Sequence, residues 1–209
     1  MNQYNLLEYM RKQPSLHKDI VEILFRNKND ITRKLSDIQG FHYIDHVSIH
    51  IIDPDSCITI FSLTPSVEYN LIAQGLWRYD KSFFPFEYKD YSYFWWDEAY
   101  SNQQLLHIKQ LKEYKHNFTI GLCLVRKMSQ FQIVYSYATR SQNDNLHAYY
   151  KSVMSELFLI GDYGLNLIGN IYAKYSSYSL PYISRQEADL LKKKSKIKLI
   201  VDNSNSIIK

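Results

Sequence analysis

Apolar and polar residues alternate from His46 to Ile51, with the apolar side chains at every second position. This period of two predicts a β-strand with one buried face. Turn-forming residues follow at 53–56, and the apolar segment 57–63 then predicts a return strand. The first half of the chain therefore contains a predicted β-hairpin.

Three further segments have the composition of strands. The apolar segments 118–125 and 131–138 flank a short turn and predict a second hairpin. Between the two hairpins, the aromatic segment 91–96 predicts a middle strand. Aromatic side chains bury large areas and also line small-molecule pockets, so this segment marks either a core or a binding cavity.

Apolar residues recur at helical spacing between the strands. The predicted helices are one that begins after Ser15, one over 30–39 that Gly40 ends, one that Pro65 opens, one around Leu105, and one long amphipathic helix over 145–172. Together these elements predict an α+β fold, in which a five-stranded, mostly antiparallel sheet is sandwiched between helices in an α-β-α arrangement.

The composition is that of a globular domain. Hydrophobic residues make up 45% of the 209 residues and charged residues 22%, which argues against a disordered chain. The longest apolar runs, such as 157–160, are far shorter than the roughly 20 residues of a membrane-spanning helix, and the N-terminus has no secretory signal pattern. Cys57 and Cys123 favour buried thiols over a disulfide or metal site. We therefore expect a cytoplasmic protein.

The net charge of +4 is concentrated in lysines between positions 192 and 198. The remainder of the chain is near neutral, which argues against a broad nucleic-acid-binding surface. The lysine segment favours a solvated tail over a patch that binds acidic lipid or nucleic acid.

Candidate catalytic and metal-binding groups do not converge in the sequence. His42, His46 and His50 are spaced by four residues, which leaves a metal site open but favours exposed or hydrogen-bonded side chains. Cys123 with His116 or His107 is a conceivable nucleophile pair, but no acid is placed to orient the histidine. We therefore expect a protein that is not an enzyme and that holds no metal or cofactor.

The order of motifs along the chain resembles a known family. The motifs are Gly40-Phe41, Pro65-x-x-Glu68-Tyr69, Phe94-x-Trp96-Asp97, Gly121 at the start of a hairpin, and Tyr135-Ser136-Tyr137-Ala138 at its end. This order is similar to the autoinducer-binding domain of LuxR-type quorum-sensing transcription regulators, over roughly residues 15–175. It resembles in particular a divergent branch found in intracellular gammaproteobacteria.

The resemblance implies that a small amphipathic ligand lies between the sheet and the helices on one of its faces. Trp96 matches the tryptophan that donates its indole hydrogen to the lactone carbonyl of the ligand, and Ser136 matches a hydroxyl that contacts the acyl amide. Tyr69 matches an aromatic residue that covers the cavity. Trp77 and Tyr93 are further candidates for the wall of the ligand site.

Strand parity bears on the two adjacent tryptophans. Because successive side chains of a strand point to opposite faces, one of Trp95 and Trp96 is expected to face the cavity and the other the far helices. Trp77 and Tyr79 with Asp80 form either a polar edge of the pocket or a solvated loop.

The chain departs from the family pattern at the polar contacts of the ligand. The aspartate of the Asp-Pro pair, which accepts the ligand amide hydrogen, is expected near Ser82, where no Asp-Pro occurs; Asp80 is the nearest carboxylate. Four residues after Tyr69, where the family has a ligand-contacting tyrosine, this chain has Ala73. Weak binding of acyl-homoserine lactones is therefore expected.

The C-terminal segment predicts an incomplete DNA-binding module. We place a sensory domain at 1–178 and a vestigial linker with a lysine-rich tail at 179–209. Residues 180–191 resemble the linker and first helix of the DNA-binding module of the family, with a capping box at Ser184-x-x-Glu187. The residues that follow lack the apolar periodicity of a recognition helix, so no sequence-specific DNA binding is expected.

These observations predict a LuxR-like sensory domain that binds a small amphipathic molecule and regulates through contact with a protein partner or a second copy of itself. The alternative is a protein-interaction module, or an effector exported into a host cell, that kept the fold but not the ligand.

Overall fold

A six-stranded sheet forms the centre of the protein in the computed structural model, which describes residues 14–181. The strands are β1 (Ser15–Leu16), β2 (His46–Ile52), β3 (Cys57–Ser62), β4 (Ser92–Trp95), β5 (Ile120–Met128) and β6 (Phe131–Thr139). Their order across the sheet is β1-β3-β2-β6-β5-β4. Every neighbouring pair is antiparallel except β1 and β3, which are parallel.

Seven α-helices lie within residues 14–181. They are α1 (Ile20–Arg26), α2 (Lys28–Leu35), α3 (Pro65–Ala73), α4 (Trp96–Ala99), α5 (Leu105–Lys112), α6 (Leu146–Ser152) and α7 (Met154–Tyr172). Short 3₁₀ turns lie at Phe41–Tyr43, Leu76–Tyr79, Lys81–Phe83 and Tyr114–His116. The predicted α+β fold with a mostly antiparallel sheet is confirmed.

The sheet has six strands where five were predicted. The additional strand is β1, in which Ser15 pairs with Cys57 at the edge of the sheet. Ser15 was predicted to begin a helix, but α1 begins only at Ile20, after Asp19. The predicted helix over 30–39 is observed only in part, because α2 ends at Leu35; Gly40, which was predicted to end the helix, adopts a left-handed conformation with φ of 82° before the next 3₁₀ turn.

Helical layers cover both faces of the sheet. Apolar side chains of α2, α6 and α7 pack on one face, and those of α3, α4 and α5 pack on the other. The prediction that β2 has only one buried face was wrong, because all seven of its residues are buried. β2 lies between β3 and β6 in the middle of the sheet, so its polar row is covered by the second helical layer.

The predicted long C-terminal helix is divided at Val153 into α6 and α7. The predicted middle strand is shorter than expected, since β4 ends at Trp95 and Trp96 begins α4.

No helix among residues 14–181 is long and apolar enough to cross a membrane. The predicted capping box at Ser184-x-x-Glu187 and the lysine-rich tail lie outside the described residues.

Candidate functional site

A row of polar residues points from the sheet toward α3 and α5. Alternation along β2 places His46, Ser48 and His50 on this face, and the strand register pairs Ser48 with Ser136 of β6. Ser136 in turn pairs with Cys123 of β5. Polar groups from three adjacent strands therefore meet beneath the α3 and α5 layer.

The helices above this row supply charged partners. We use the name buried polar cluster for six side chains that lie between the sheet and this layer: His46, Glu68, Asp80, Trp96, Lys112 and Ser136. Each is at most 4% exposed. Buried charged and polar groups are costly unless they are paired, so the contacts within the cluster determine what it can bind.

Trp96 and Ser136 satisfy each other. The indole Nε1 of Trp96 donates a hydrogen bond of 2.8 Å to Ser136 Oγ, and Cys123 Sγ donates to the same hydroxyl over 3.5 Å. The Trp96 ring lies directly on Gly121, where an added Cβ would be 1.9 Å from Trp96 Cδ2. The absence of a side chain at this position is therefore what admits the indole.

Lys112 and Asp80 form a buried ion pair. Lys112 Nζ lies 2.6 Å from Asp80 Oδ2, and the backbone N–H of Ser82 donates to Asp80 Oδ1 over 2.9 Å. The same ammonium lies 4.2 Å from the centroid of the Trp96 ring and 5.2 Å from that of Tyr100. This cation–π contact joins the ion pair to the Trp96 and Ser136 hydrogen bond.

His46 and Glu68 form a second pair. His46 Nε2 lies 3.4 Å from Glu68 Oε1, and His46 is 0% exposed. Burial alone would raise the pKa of Glu68, but the close contact and charge of His46, with contributions from His50 and Ser62, lower it to about 2. Glu68 is therefore a carboxylate at physiological pH.

The buried imidazole of His50, near the Lys112 and Asp80 pair, is neutral at physiological pH. Burial lowers the pKa of His50 to about 4. His50 Nδ1 lies 3.0 Å from the Ser82 carbonyl oxygen, so Nδ1 carries the proton and donates it. His50 Nε2 is then the acceptor for the Ser48 hydroxyl, which is 3.2 Å away.

The structure brings three of the sequence-predicted residues together: Trp96, Ser136 and Asp80. Asp80, the carboxylate nearest to the expected position of the missing acceptor, is 0% exposed and lies on the same face as Trp96 and Ser136. The prediction that Trp95 and Trp96 face opposite layers is confirmed, because the Trp95 ring packs on His147 of α6 at 4.4 Å.

The other predicted residues lie elsewhere. Tyr69 is 37% exposed and packs on Phe25 of α1. Tyr93 is 39% exposed and packs on Trp95, on the face toward α6 and α7. Neither therefore joins the buried polar cluster.

Trp77 occupies an intermediate position. It is buried in the α3 and α5 layer and packs on Phe83 and Phe84, with ring centroids about 6 Å apart. Trp77 and Asp80 are buried, but Tyr79 between them is 42% exposed, so this segment lies partly in the core and partly at the surface. Trp77 forms an apolar wall beside Asp80 and makes no hydrogen bond to it among the described contacts.

Sequence analysis missed Glu68, Lys112 and the role of His46. On α3 the buried positions are Pro65, Val67, Glu68 and Leu71, so Glu68 and not its neighbour Tyr69 faces the sheet. On α5, Lys112 follows the buried Ile108 by four residues, which is the spacing of one helix face. A charged residue in phase with an apolar helix face was the available signal.

The cysteines are not activated. Burial raises the pKa of Cys123 to about 12 and that of Cys57 to about 11, so both remain thiols at physiological pH. Among residues 14–181, no group of three or more histidine, cysteine or acidic side chains is placed to hold a metal ion.

An open cleft of about 430 Å³ lies at the tips of the two hairpins. Its walls include Pro54, Phe86, Lys127 and Gln132, and none of the residues predicted for the ligand site lines it. It is distinct from the buried polar cluster.

The fold is similar to that of solved structures of SdiA of Escherichia coli. No protein-family model and no curated protein sequence matches the chain. One SdiA crystal structure is 13% identical with a TM-score of 0.52, over 96% of this chain and 82% of SdiA. SdiA in complex with octanoyl-rac-glycerol is 12% identical with a TM-score of 0.46, over 93% and 75% of the two chains. The chain thus shares the fold of SdiA, a LuxR-type autoinducer-binding regulator.

Proposed function

We propose that this chain is a non-enzymatic sensory domain that binds a small amphipathic molecule between the sheet and the α3 and α5 layer. Binding alters a contact with a protein partner or a second copy of the chain, in the cytoplasm and without sequence-specific recognition of DNA. This proposal includes the LuxR-like lineage that the motif order suggests.

One observation carries the proposal. The indole of Trp96 and the hydroxyl of Ser136, which match ligand-contacting positions of the resembled family, meet at 2.8 Å on one face of the sheet. The buried ion pair of Lys112 and Asp80 lies against the same indole. An amphipathic molecule would find hydrogen-bonding groups here, surrounded by the apolar side chains of the α3 and α5 layer.

The ligand must exchange hydrogen bonds that the protein already makes. Trp96 and Ser136 use each other, and both oxygens of Asp80 are engaged. A lactone amide that approaches Asp80 competes with Lys112, so acyl-homoserine lactones are expected to bind more weakly than to a receptor with a free acceptor.

The test compares two tryptophans in adjacent positions. Trp96→Phe removes the indole donor of the cluster, whereas Trp95→Phe makes the same change on the opposite face of the sheet. Binding of N-octanoyl-homoserine lactone and of octanoyl-rac-glycerol, the molecule bound in the SdiA complex, is measured by calorimetry and thermal shift. We expect Trp96→Phe to weaken binding of whichever probe binds by about tenfold, and Trp95→Phe to leave it unchanged.

Equal effects of the two substitutions would contradict the assignment of the site to the Trp96 face.

A second candidate function is a protein-interaction module that kept the fold without the ligand. The mutual satisfaction of Trp96, Ser136, Asp80 and Lys112 favours it, since groups paired within the protein need no ligand. It predicts that no member of an amphiphile panel raises the melting temperature.

A further inference from the structure

The buried polar cluster contains hydrogen-bonding atoms that the protein leaves without partners. Within residues 14–181, neither ring nitrogen of His46 makes a hydrogen bond of good geometry, and Glu68 Oε2 makes none. The closest approach between the two side chains is the 3.4 Å from His46 Nε2 to Glu68 Oε1. Since buried polar atoms in folded proteins nearly always have a partner, these atoms point to a bound group.

From these atoms we propose that His46 and Glu68 form a specificity subsite, and that the ligand presents an alcohol hydroxyl to it. The inference rests on the proposed function, because it names the class of ligand for the same region. Neither residue was among the ligand-site candidates from the sequence.

The subsite is contiguous with Trp96. The His46 ring lies 6.0 Å from the Trp96 ring and 5.4 Å from the Phe118 ring, measured between centroids. The edge-on packing of His46 against Trp96 leaves the two residues as neighbours on one surface. A molecule that contacts Trp96 with its apolar part therefore reaches His46 and Glu68 with its polar part.

The charges around the subsite favour a neutral polar group. The Glu68 carboxylate repels an anionic head group, and the Lys112 ammonium, 4.2 Å from the Trp96 ring, repels a cationic one. A metal ion is disfavoured, since no three ligating side chains converge within the described residues. The remaining class is a neutral group that is both donor and acceptor.

A hydroxyl meets this requirement with a single atom. It donates its hydrogen to Glu68 Oε2 and accepts the N–H of His46, so that both unpartnered groups are satisfied at once. The acceptor is ionised, because His46 and its neighbours hold the pKa of Glu68 at about 2 against the opposing effect of burial. Hydrogen bonds to an ionised acceptor are the stronger class.

Two esters of octanoic acid test the proposal. 1-Octanoylglycerol and propyl octanoate have the same carbon skeleton and differ only in the two hydroxyls of the former. Binding of each to the full chain is measured by calorimetry. We expect the glycerol ester to bind about ten to a hundred times more tightly, although the hydrophobic effect alone favours the propyl ester.

Variants assign the preference to the subsite. Glu68→Gln removes the anionic acceptor and retains the size of the side chain, and it is expected to reduce the preference for the glycerol ester at least tenfold. Glu87→Gln is the matched control, because Glu87 is exposed and pairs only with Lys81 among the contacts described for it. It should leave the preference unchanged.

The outcomes separate this inference from the proposed function. Equal binding of the two esters, or an unchanged preference in Glu68→Gln, overturns the hydroxyl subsite and leaves the sensory domain standing. Binding of neither ester, nor of any acyl-homoserine lactone, overturns both. If Glu68→Gln does not fold, the comparison of the two esters on the unaltered chain still decides.

Discussion

Gly121 shows how a single residue controls the candidate site. The Trp96 ring occupies the space that a side chain at this position would need, so the indole reaches Ser136 only because Gly121 has none. Sequence analysis matched Gly121 to a motif but gave no reason for the glycine. The reason is a contact between residues 25 positions apart, which only the paired strands β4 and β5 bring together.

We predict that Gly121→Ala disrupts the site and destabilises the fold by about 1 to 3 kcal/mol, because the added Cβ overlaps the Trp96 ring. Urea unfolding and tryptophan fluorescence measure the two effects. Gly169→Ala in α7 is the matched control, since an added Cβ there meets no atom within 4 Å. The control is expected to be neutral or stabilising. Similar stability of the two variants would contradict the close packing of Trp96.

The Lys112 and Asp80 pair leads to a second prediction. Lys112→Met leaves the Asp80 carboxylate buried and unpaired, so we expect a loss of about 3 to 5 kcal/mol in the free energy of unfolding. The double variant Lys112→Met, Asp80→Asn removes both charges and is expected to recover much of this loss. Urea denaturation of the single and double variants measures the coupling. A double variant no more stable than Lys112→Met would show that Asp80 is not the partner of the lysine.

Tyr69 and Glu68 show a limit of sequence reasoning at the same scale. An aromatic residue is the expected cover of an apolar cavity, so the motif directed attention to Tyr69. The structure turns α3 so that Val67, Glu68 and Leu71 face inward. A shift of one residue rotates a side chain by about 100° around a helix, and only the packing of α3 on the sheet fixes that angle.

At the scale of elements, β2 connects the sheet to the site. Its apolar row packs toward α7, and its polar row of His46, Ser48 and His50 packs toward α3 and α5. Alternation predicted the strand correctly but also predicted that the polar row faces solvent. Polar side chains on a central strand become buried when a second helical layer supplies partners, as Ser82 and Glu68 do here.

This buried polar row makes stability depend on pH. Burial lowers the pKa of His50 from 6.5 to about 4, so the unfolded chain binds more protons between these values and stability falls as the pH drops through this window. Glu68, whose pKa is lowered from 4.5 to about 2 by His46 against the effect of burial, adds stability that is lost as the pH falls from about 4.5 toward 2. Both groups therefore destabilise the protein in acid.

We predict that His50→Gln flattens the loss of stability between pH 6.5 and 4, a loss on the order of 2 kcal/mol from this residue in the unaltered chain. Urea midpoints measured at half-unit pH steps provide the test. His107→Gln is the control, because His107 is exposed on α5. An unchanged pH profile in His50→Gln would show that His50 is not the group that titrates.

At the scale of the whole molecule, the sheet separates two cores. One core joins it to α2, α6 and α7, and the other joins it to α3, α4 and α5. Hairpin and helix periodicities predicted this sandwich because local patterns determine each element and its apolar face. They did not predict which core is polar, since the cluster draws one residue from each of six segments distant in sequence.

The two cores allow a last prediction, in which the same substitution is made in each. Leu71 of α3 and Leu157 of α7 are both 0% exposed, so either Leu→Ala change is expected to lower the free energy of unfolding by about 2 to 5 kcal/mol. Leu71 lies one helical turn from Glu68, and the cavity left by Leu71→Ala lets α3 move relative to the sheet. Leu157 packs in the opposite core. Ligand affinity, measured by calorimetry at a temperature where both variants are folded, should therefore fall about tenfold in Leu71→Ala and stay unchanged in Leu157→Ala. An equal loss of affinity in the two variants would show that the sheet transmits the change, and that the site cannot be assigned to the α3 and α5 layer alone.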